Sequence, residues 1–200
     1  MDESTFQAII ESIFIEIGSC FPEICLLVDP TKKYGNGRFG FIDLFFLATT
    51  NDPHNLAVLE LKVVSLKSLW HGTQQTPGSC DASHRDLEEL RENLKKETEE
   101  QIMTRKWCFW NKNDWRWETR TLVDLKWAAF EQVNRYLKVV CQGSVDPCGA
   151  QAGVQDFRIG CKVGEEVQGG AYVVMCIGAT RVLTWKTNEM KTKLAYTSLL

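Results

Sequence analysis

Three charged side chains lie inside stretches that otherwise have the composition of buried β-strands. Asp43 is part of GFIDLFF, and Glu60 and Lys62 are part of LAVLELKVVS. Residues two apart on a strand point to the same face, so Glu60 and Lys62 share one face. If the two strands are antiparallel neighbours, Asp43 faces Glu60 across the ladder at ~5 Å. Because burying an unpaired charge is unfavourable by several kcal/mol, something near that face must accept these charges.

Two carboxylates and an amine on one strand face suit hydrolysis assisted by a metal ion. Mg²⁺ takes one or two carboxylates and leaves its other positions to water and phosphate. Lys62 could hold or polarise the attacking water, or steady a phosphate oxygen. The pattern therefore predicts metal-assisted hydrolysis of a phosphodiester bond. The strand pattern alone leaves an alternative equally open, namely a structural Glu60–Lys62 salt bridge with Asp43 nearby and no metal.

The elements that must position these residues follow from periodicity and turn residues. Residues 5–20 form a helix by period, because their apolar residues recur on one helical face. Strands are predicted over 23–30, 41–50 and 56–65, with short turn-rich connections between them. Asp43 therefore belongs to the second strand, and Glu60 and Lys62 to the third.

An insert at about 71–117 follows the third strand. It begins with a surface loop and continues with a mixed-charge helix over 86–106, which is interpreted as a solvated helix. The aromatic segment 107–117 could stack on bases, but a β-hairpin or a small satellite core is the favoured interpretation.

A strong helix is predicted over 121–140, after the insert, where Thr121 and Asp124 have the spacing of a capping box. Three strands are predicted next, over the segments DFRIGCKV, AYVVMCIGA and TRVLTW. The basic tail after about 186 is predicted to be loosely ordered. The order α-β-β-β-insert-α-β predicts a single α/β domain that spans residues 1–200.

These residues resemble a known family. Asp43 followed by Glu60-Leu61-Lys62 looks like the D…(D/E)-x-K signature of the PD-(D/E)XK nuclease superfamily, on the same order of elements. Gly40 before Asp43, the Gln132-x3-Tyr136 pair and the AYVVMCIGATRVLTW segment are further matches. VLELKVVSL, the charged insert and AAFEQVNRYL are similar to nuclease-like domains of fungal proteins, often found beside an AAA-type ATPase. The resemblance covers roughly residues 5 to 185.

The resemblance implies a fold and a site. The fold is a restriction-endonuclease-like three-layer core, with a central mixed β-sheet flanked by helices. The site would bind Mg²⁺ or Mn²⁺ through Asp43, Glu60 and the main-chain carbonyl of Leu61. Lys62 would act in catalysis with the two carboxylates, and Gln132 would orient Lys62 or a phosphate. The implied activity is that of a nuclease acting on DNA.

In this superfamily the first helix often contributes a further carboxylate to the metal. Glu11 is the preferred candidate, and Glu16 is the alternative. The sequence contains no ATPase domain, so we expect any motor-coupled role to require a separate ATPase chain.

Contact with nucleic acid is the least constrained part of the prediction. The net charge of −3 and the pI of about 5.7 argue against a general basic coat, although they allow a local basic cleft. Lys32, Lys33 and Arg38 form the best local basic patch for a phosphate backbone, and an exposed basic turn is the alternative. Tyr136 is a further candidate for nucleic-acid contact. The alternative for Gln132 and Tyr136 is a helix face that packs on the sheet.

The composition of the chain predicts its cellular location and the state of its cysteines. The acidic start MDESTFQ does not resemble a secretory signal, and no apolar run approaches the ~20 residues that span a bilayer. The eight cysteines are therefore expected to be reduced thiols in a cytoplasmic or nuclear protein without membrane contact. A zinc site at Cys80, His84 and His71 is not favoured, because the spacing matches no standard site.

Two classes of function remain open at this stage. The first is a divalent-metal-dependent deoxyribonuclease. The second is a catalytically inactive nuclease-like fold that serves as a protein-interaction or nucleic-acid-binding module, and the acidic pI and the aromatic insert motivate it.

Overall fold

A mixed β-sheet lies at the centre of the computed structural model, which describes residues 1–14, 18–29, 31–33, 39–48, 55–70, 82–112, 114–143 and 153–199. The sheet strands are β1 (Gly18–Leu27), β2 (Phe39–Ala48), β3 (Asn55–Val64), β6 (Gly153–Val154), β7 (Ile159–Ile177) and β8 (Arg181–Ser198). The strands β4 (Lys106–Asn111) and β5 (Arg116–Thr121) form a separate hairpin. The helices are α1 (Glu3–Phe14), α2 (Leu66–Leu69), α3 (His84–Lys96), α4 (Glu99–Met103) and α5 (Leu122–Gln142).

The sheet combines an antiparallel meander with one parallel crossover. Its strands lie in the order β6-β1-β2-β3-β7-β8. β3 pairs with β7 in parallel, and the other neighbouring strands are antiparallel. The chain between β3 and β7 contains α5, as a parallel crossover connection requires. This arrangement places β3, which carries Glu60 and Lys62, in the interior of the sheet.

Helices cover both faces of this sheet. On one face, α5 buries Ala129, Val133, Leu137 and neighbouring residues against Val58 and Val173. On the other face, Phe6 and Ile10 of α1 pack against apolar residues of β2, β3 and β7. The alternation along β3 decides which side chain joins which cluster. The even-numbered residues Leu56 and Val58 face α5, and the odd-numbered Leu59 and Leu61 face α1.

The part of the insert that the structure describes packs as a smaller cluster beside α5. Leu90 and Leu94 of α3 and Ile102 of α4 meet Leu122 of α5 and Met175 of β7. The predicted helix over 86–106 is divided into two at Glu97, because Thr98 begins a new helix as an N-cap with a capping box.

The helix after the insert and the hairpin within it are confirmed. The Thr121 hydroxyl accepts a hydrogen bond from the Asp124 main-chain N–H at 3.2 Å, and the Asp124 carboxylate accepts one from the Thr121 N–H at 2.9 Å. The helix ends before Gly143, whose φ of 46° is the left-handed conformation that glycine tolerates. The aromatic segment forms the antiparallel β4–β5 hairpin.

The C-terminal part of the chain differs from the prediction. Two long paired strands, β7 and β8, replace the three short strands, and β8 continues to Ser198 through the region predicted as a loose tail. β7 stays continuous because irregularities between Val163 and Val167 and between Ala171 and Tyr172 absorb the register shifts. Tyr196 of β8 is buried in the α5-facing core, which accounts for the order of the tail.

Within the described residues, no helix combines the length and the apolar character needed to cross a membrane.

Candidate functional site

Asp43 lies at an irregularity in β2. Leu44 belongs to the α1-facing cluster, whereas Ile42, two residues earlier, belongs to the α5-facing cluster. On a regular strand these two side chains would share a face. The neighbouring strand β1 is distorted at the same level, since Glu23 has a φ of 51°. The alternation of side chains between the two faces of the sheet is therefore interrupted at Glu23 and Asp43.

This irregularity changes how Asp43 meets β3. The β2–β3 ladder runs from Leu47↔Leu56 to Leu44↔Leu59, and Asp43 is not part of it. The Asp43 carboxylate instead accepts a hydrogen bond at 2.6 Å from the main-chain N–H of Leu61. The predicted antiparallel pairing of β2 and β3 is confirmed, and its register makes Asp43 and Glu60 the next positions after Leu44↔Leu59, where the ladder ends. The carboxylate takes the place that a β2 carbonyl would occupy if the ladder continued.

Glu60 is a buried carboxylate. Its side chain is 1% exposed, and among the described residues its Oε2 atom has no hydrogen-bond partner. Burial raises the pKa of Glu60 to about 7, the Lys62 ammonium opposes this rise, and the Asp43 carboxylate adds to it. Glu60 therefore keeps its proton to a higher pH than an ordinary carboxyl does.

Lys62 pairs directly with Glu60, as the spacing of two residues on one strand predicts. Its ammonium donates a hydrogen bond to Glu60 Oε1. Burial acts to lower the pKa of Lys62, but the carboxylates of Glu60, Asp43 and Glu3 outweigh it, and the pKa is raised. Lys62 therefore stays charged, and with 24% of its side chain exposed it can meet a ligand from solvent.

Burial also raises the pKa of Asp43, against the hydrogen bond from Leu61 N–H and the charge of Lys62, which lower it. The carboxylates of Glu3 and Glu23 add to the rise. The carboxylates of Glu60, Asp43 and Glu3 therefore all act on the pKa of Lys62.

Two carboxylates of the first helix can be compared. The charge of Glu3 acts on the pKa values of Asp43, Glu60 and Lys62. Glu11 accepts a hydrogen bond from Gln7 at 3.0 Å, and its charge acts on the pKa of the Cys20 thiol. Glu16 lies outside the described residues. The role of Glu11 as a metal ligand stays a prediction.

The main chain of Leu61 faces Asp43, and the role of its carbonyl as a metal ligand stays a prediction. Because its N–H donates to Asp43, that edge of the peptide faces β2. The N–H and C=O of one strand residue point to the same side, so the Leu61 carbonyl also faces the Asp43 side of β3.

Gln132 and Tyr136 pack as a helix face. Tyr136 is 6% exposed and lies against Gly40, where an added Cβ would come within 2.6 Å of the Tyr136 ring. The half-buried Gln132 donates a hydrogen bond to the Tyr136 hydroxyl at 3.4 Å. The ring of Tyr136 belongs to the core, which favours the alternative of a helix face that packs on the sheet, and its contact with nucleic acid stays a prediction. The role of Gln132 in orienting Lys62 stays a prediction.

The predicted basic patch is only partly within the described residues. Lys32 and Lys33 are exposed, and the Lys32 ammonium lies 3.5 Å from the Asp29 carboxylate. Arg38 lies outside the described residues, as do His71 and Cys80 of the disfavoured zinc set. Asp29 therefore offsets part of the positive charge that was assigned to this turn.

Oxygen atoms of Glu60, Asp43 and Leu61 could hold a divalent cation that keeps much of its water. Within the described part of the chain, no group of three or more His, Cys, Asp or Glu side chains could enclose a metal ion. Mg²⁺, however, needs only one or two protein carboxylates. The partnerless Oε2 of Glu60, the Asp43 carboxylate and the Leu61 carbonyl are oxygen ligands of the kind it prefers.

No protein-family model, no curated protein and no solved structure matches this chain.

Proposed function

We propose that the protein is a divalent-metal-dependent nuclease that hydrolyses phosphodiester bonds in DNA through Asp43, Glu60 and Lys62. The observation that carries this proposal is the buried Glu60 carboxylate, which has one oxygen on Lys62 and the other without a partner among the described residues. An unsatisfied buried carboxylate oxygen is unfavourable in a purely structural pair. A cation that binds there would satisfy it.

The order of elements supports the same proposal. The helix α1, the meander β1-β2-β3, the helix α5 and the parallel strand β7 follow the α-β-β-β-α-β order expected of a restriction-endonuclease-like core. In this proposal β3 carries the catalytic residues. The β2–β3 ladder ends at Leu44↔Leu59, just before Asp43 and Glu60.

Each residue has a separate role in the proposed chemistry. Asp43, Glu60 and the Leu61 carbonyl would hold Mg²⁺ or Mn²⁺, which lowers the pKa of a bound water and polarises a phosphate oxygen. Lys62 carries the charge that would attract and orient a phosphate oxygen, since its pKa is raised. Ionised Glu60 would hold the Lys62 ammonium in place through their hydrogen bond.

A cleavage assay with matched ion-pair variants tests the proposal. Linear and circular DNA are incubated with the protein and Mg²⁺, Mn²⁺ or EDTA. The site variants are Glu60→Gln and Lys62→Met. The control variants Glu92→Gln and Lys95→Met alter an exposed pair on α3 whose side chains are 54% and 52% exposed.

We expect the wild type and the α3 variants to cut in the presence of metal, and the site variants to cut at least about 100-fold more slowly. Equal cutting by all five proteins, or no cutting by the wild type in either metal, contradicts the nuclease proposal.

A second candidate function is a nuclease-like fold kept as a binding module, for example for a separate ATPase chain. The observation in its favour is that the described residues contain no group of three metal-ligating side chains. Thermal unfolding separates the two candidates, because a ligand that binds only the folded state raises the melting temperature. A rise with Mn²⁺ that Glu60→Gln abolishes favours the nuclease, and an unchanged melting temperature favours the binding module.

A further inference from the structure

The Glu60–Lys62 pair differs from the other ion pairs that involve a shielded carboxylate. Among the described residues, three further carboxylates that are at most 20% exposed form ion pairs, namely Glu97, Glu118 and Asp156. Arginine binds each of these three, and both oxygens of each carboxylate accept a hydrogen bond. Glu60 is only 1% exposed, yet a lysine binds it through Oε1, and its Oε2 has no partner in the described part of the chain.

An ion pair that served packing alone would be expected to resemble the three arginine pairs. The planar guanidinium donates hydrogen bonds in a fork that matches both oxygens of a carboxylate, whereas the ammonium of lysine is a point charge on a flexible stem. A buried oxygen that has lost its water without a replacement is unfavourable. The incomplete pair at Glu60 therefore leaves one oxygen for a second cation.

Two cations on this carboxylate would oppose each other. The Lys62 ammonium already lies on Glu60 and supplies the positive charge that the buried carboxylate requires. Because Glu60 is buried, charges beside it are screened much less than charges at the surface. A divalent cation on the second oxygen of Glu60 would therefore be repelled by Lys62 while it is attracted by the carboxylate.

We propose that Lys62 is the resident cation of this site, which neutralises Glu60 in the metal-free protein and limits the affinity of the site for a divalent cation. This inference rests on the proposed function, and it gives Lys62 an effect on metal binding that is separate from any contact with phosphate. Its consequence has a definite direction. Removing the charge of Lys62 should strengthen metal binding, although Lys62 belongs to the proposed catalytic group.

Competition from a proton does not reverse this direction. When Lys62 is replaced by a neutral residue, a proton can take its place on Glu60. The proton carries one positive charge and the metal ion carries two, so loss of the Lys62 charge favours the metal ion by about twice as much as it favours the proton. The neutral variant should therefore still bind the metal ion more tightly than the wild type.

Metal binding is measured on the full-length protein without DNA, by electron paramagnetic resonance of free Mn²⁺ near neutral pH. Lys62→Met removes the charge, Lys62→Arg keeps it, and Glu60→Gln removes the carboxylate. Lys95→Met is the matched control, because it takes an ammonium away from Glu92 in an exposed pair on α3.

A second neutral variant covers the case in which Lys62→Met does not fold, since that variant leaves a buried carboxylate without a cation. Lys62→Gln also removes the charge, but its amide can still donate a hydrogen bond to Glu60. Circular dichroism in EDTA shows which variants are folded.

We expect Lys62→Met and Lys62→Gln to bind Mn²⁺ at least about 10-fold more tightly than the wild type, and Glu60→Gln to bind it at least about 10-fold more weakly. Lys62→Arg should not bind more tightly than the wild type, because the charge is retained. Lys95→Met should match the wild type.

The inference is overturned, and the proposed metal site stands, if Glu60→Gln weakens Mn²⁺ binding but the neutral Lys62 variants bind no more tightly than the wild type. Equally tighter binding by Lys62→Arg also overturns it, because altered packing would then be the cause. Binding by none of the proteins, or binding that Glu60→Gln leaves unchanged, contradicts both the inference and the proposed function. Binding by the neutral Lys62 variants but not by the wild type supports the inference and contradicts the proposed function.

Discussion

Replacing Glu60 by glutamine should change how the stability of the protein depends on pH. The pKa of Glu60 rises from an ordinary value of 4.5 to about 7 in the folded state, chiefly through burial. A difference of this size corresponds to about 3 kcal/mol. The folded state binds this proton more tightly than the unfolded state, so the stabilising contribution is complete below pH 4.5 and is lost as the pH rises to 7.

Glutamine does not titrate, so Glu60→Gln should lack this loss. We therefore expect the free energy of unfolding of the variant, relative to the wild type, to rise by about 3 kcal/mol between pH 4.5 and pH 8, and to level off above that. Urea denaturation at a series of pH values in EDTA measures this difference. Because the comparison is a change with pH, it does not depend on the fixed effect of removing the Lys62 partner.

The control is Glu92→Gln on α3. Hydrogen bonding and the charge of Lys95 lower the pKa of Glu92, which is the opposite direction to Glu60, so the variant should show no comparable rise with pH. The reasoning is refuted if the difference between Glu60→Gln and the wild type is constant from pH 4.5 to pH 8. A difference that falls with pH would show that ionised Glu60 stabilises the fold through Lys62, as in a structural salt bridge.

Two further substitutions test the packing around the site. Gly40→Ala should destabilise the protein by about 1–3 kcal/mol in urea denaturation, because its Cβ would lie 2.6 Å from the ring of buried Tyr136, and an unchanged midpoint would show that the ring moves aside freely. Thr192→Val should lower stability by about 1–3 kcal/mol, because the Thr192 hydroxyl donates a buried hydrogen bond to the Cys141 carbonyl. Exposed Thr197→Val is its control, and equal stability of the two variants would contradict an ordered β8.

The third strand and the long helix could be predicted from sequence because their signals are local. On β3 the alternation of side chains fixes which residues share a face, and Glu60 and Lys62 meet as the period of two requires. On α5 the Thr121 capping box marks the start of the helix, and Gly143 marks its end. Each of these features depends only on residues close to one another in the chain.

The order of the C-terminal tail depends on distant contacts. Lys191 and Lys193 give this segment the appearance of a solvated tail, but they alternate with Thr192, Leu194 and Tyr196. The Tyr196 hydroxyl donates a hydrogen bond of 2.7 Å to the Val140 carbonyl on α5. The basic composition of this segment obscured its alternation with a period of two. The contact of Tyr196 with α5 explains why β8 continues to Ser198.

The site depends most on a feature that the local pattern cannot reveal, the irregularity of β2 at Asp43. If β2 were regular, Asp43 would stay in the ladder with β3, and main-chain carbonyls would satisfy the N–H groups along that edge. The exchange of faces between Ile42 and Leu44 ends the ladder there, and the Leu61 N–H is satisfied by a carboxylate instead. A carboxylate has a second oxygen, which a carbonyl lacks, and in the proposed function this oxygen would serve as a cation ligand. The distortion at Glu23 and Asp43 is thus the structural reason that a carboxylate, and not a main-chain carbonyl, meets Leu61.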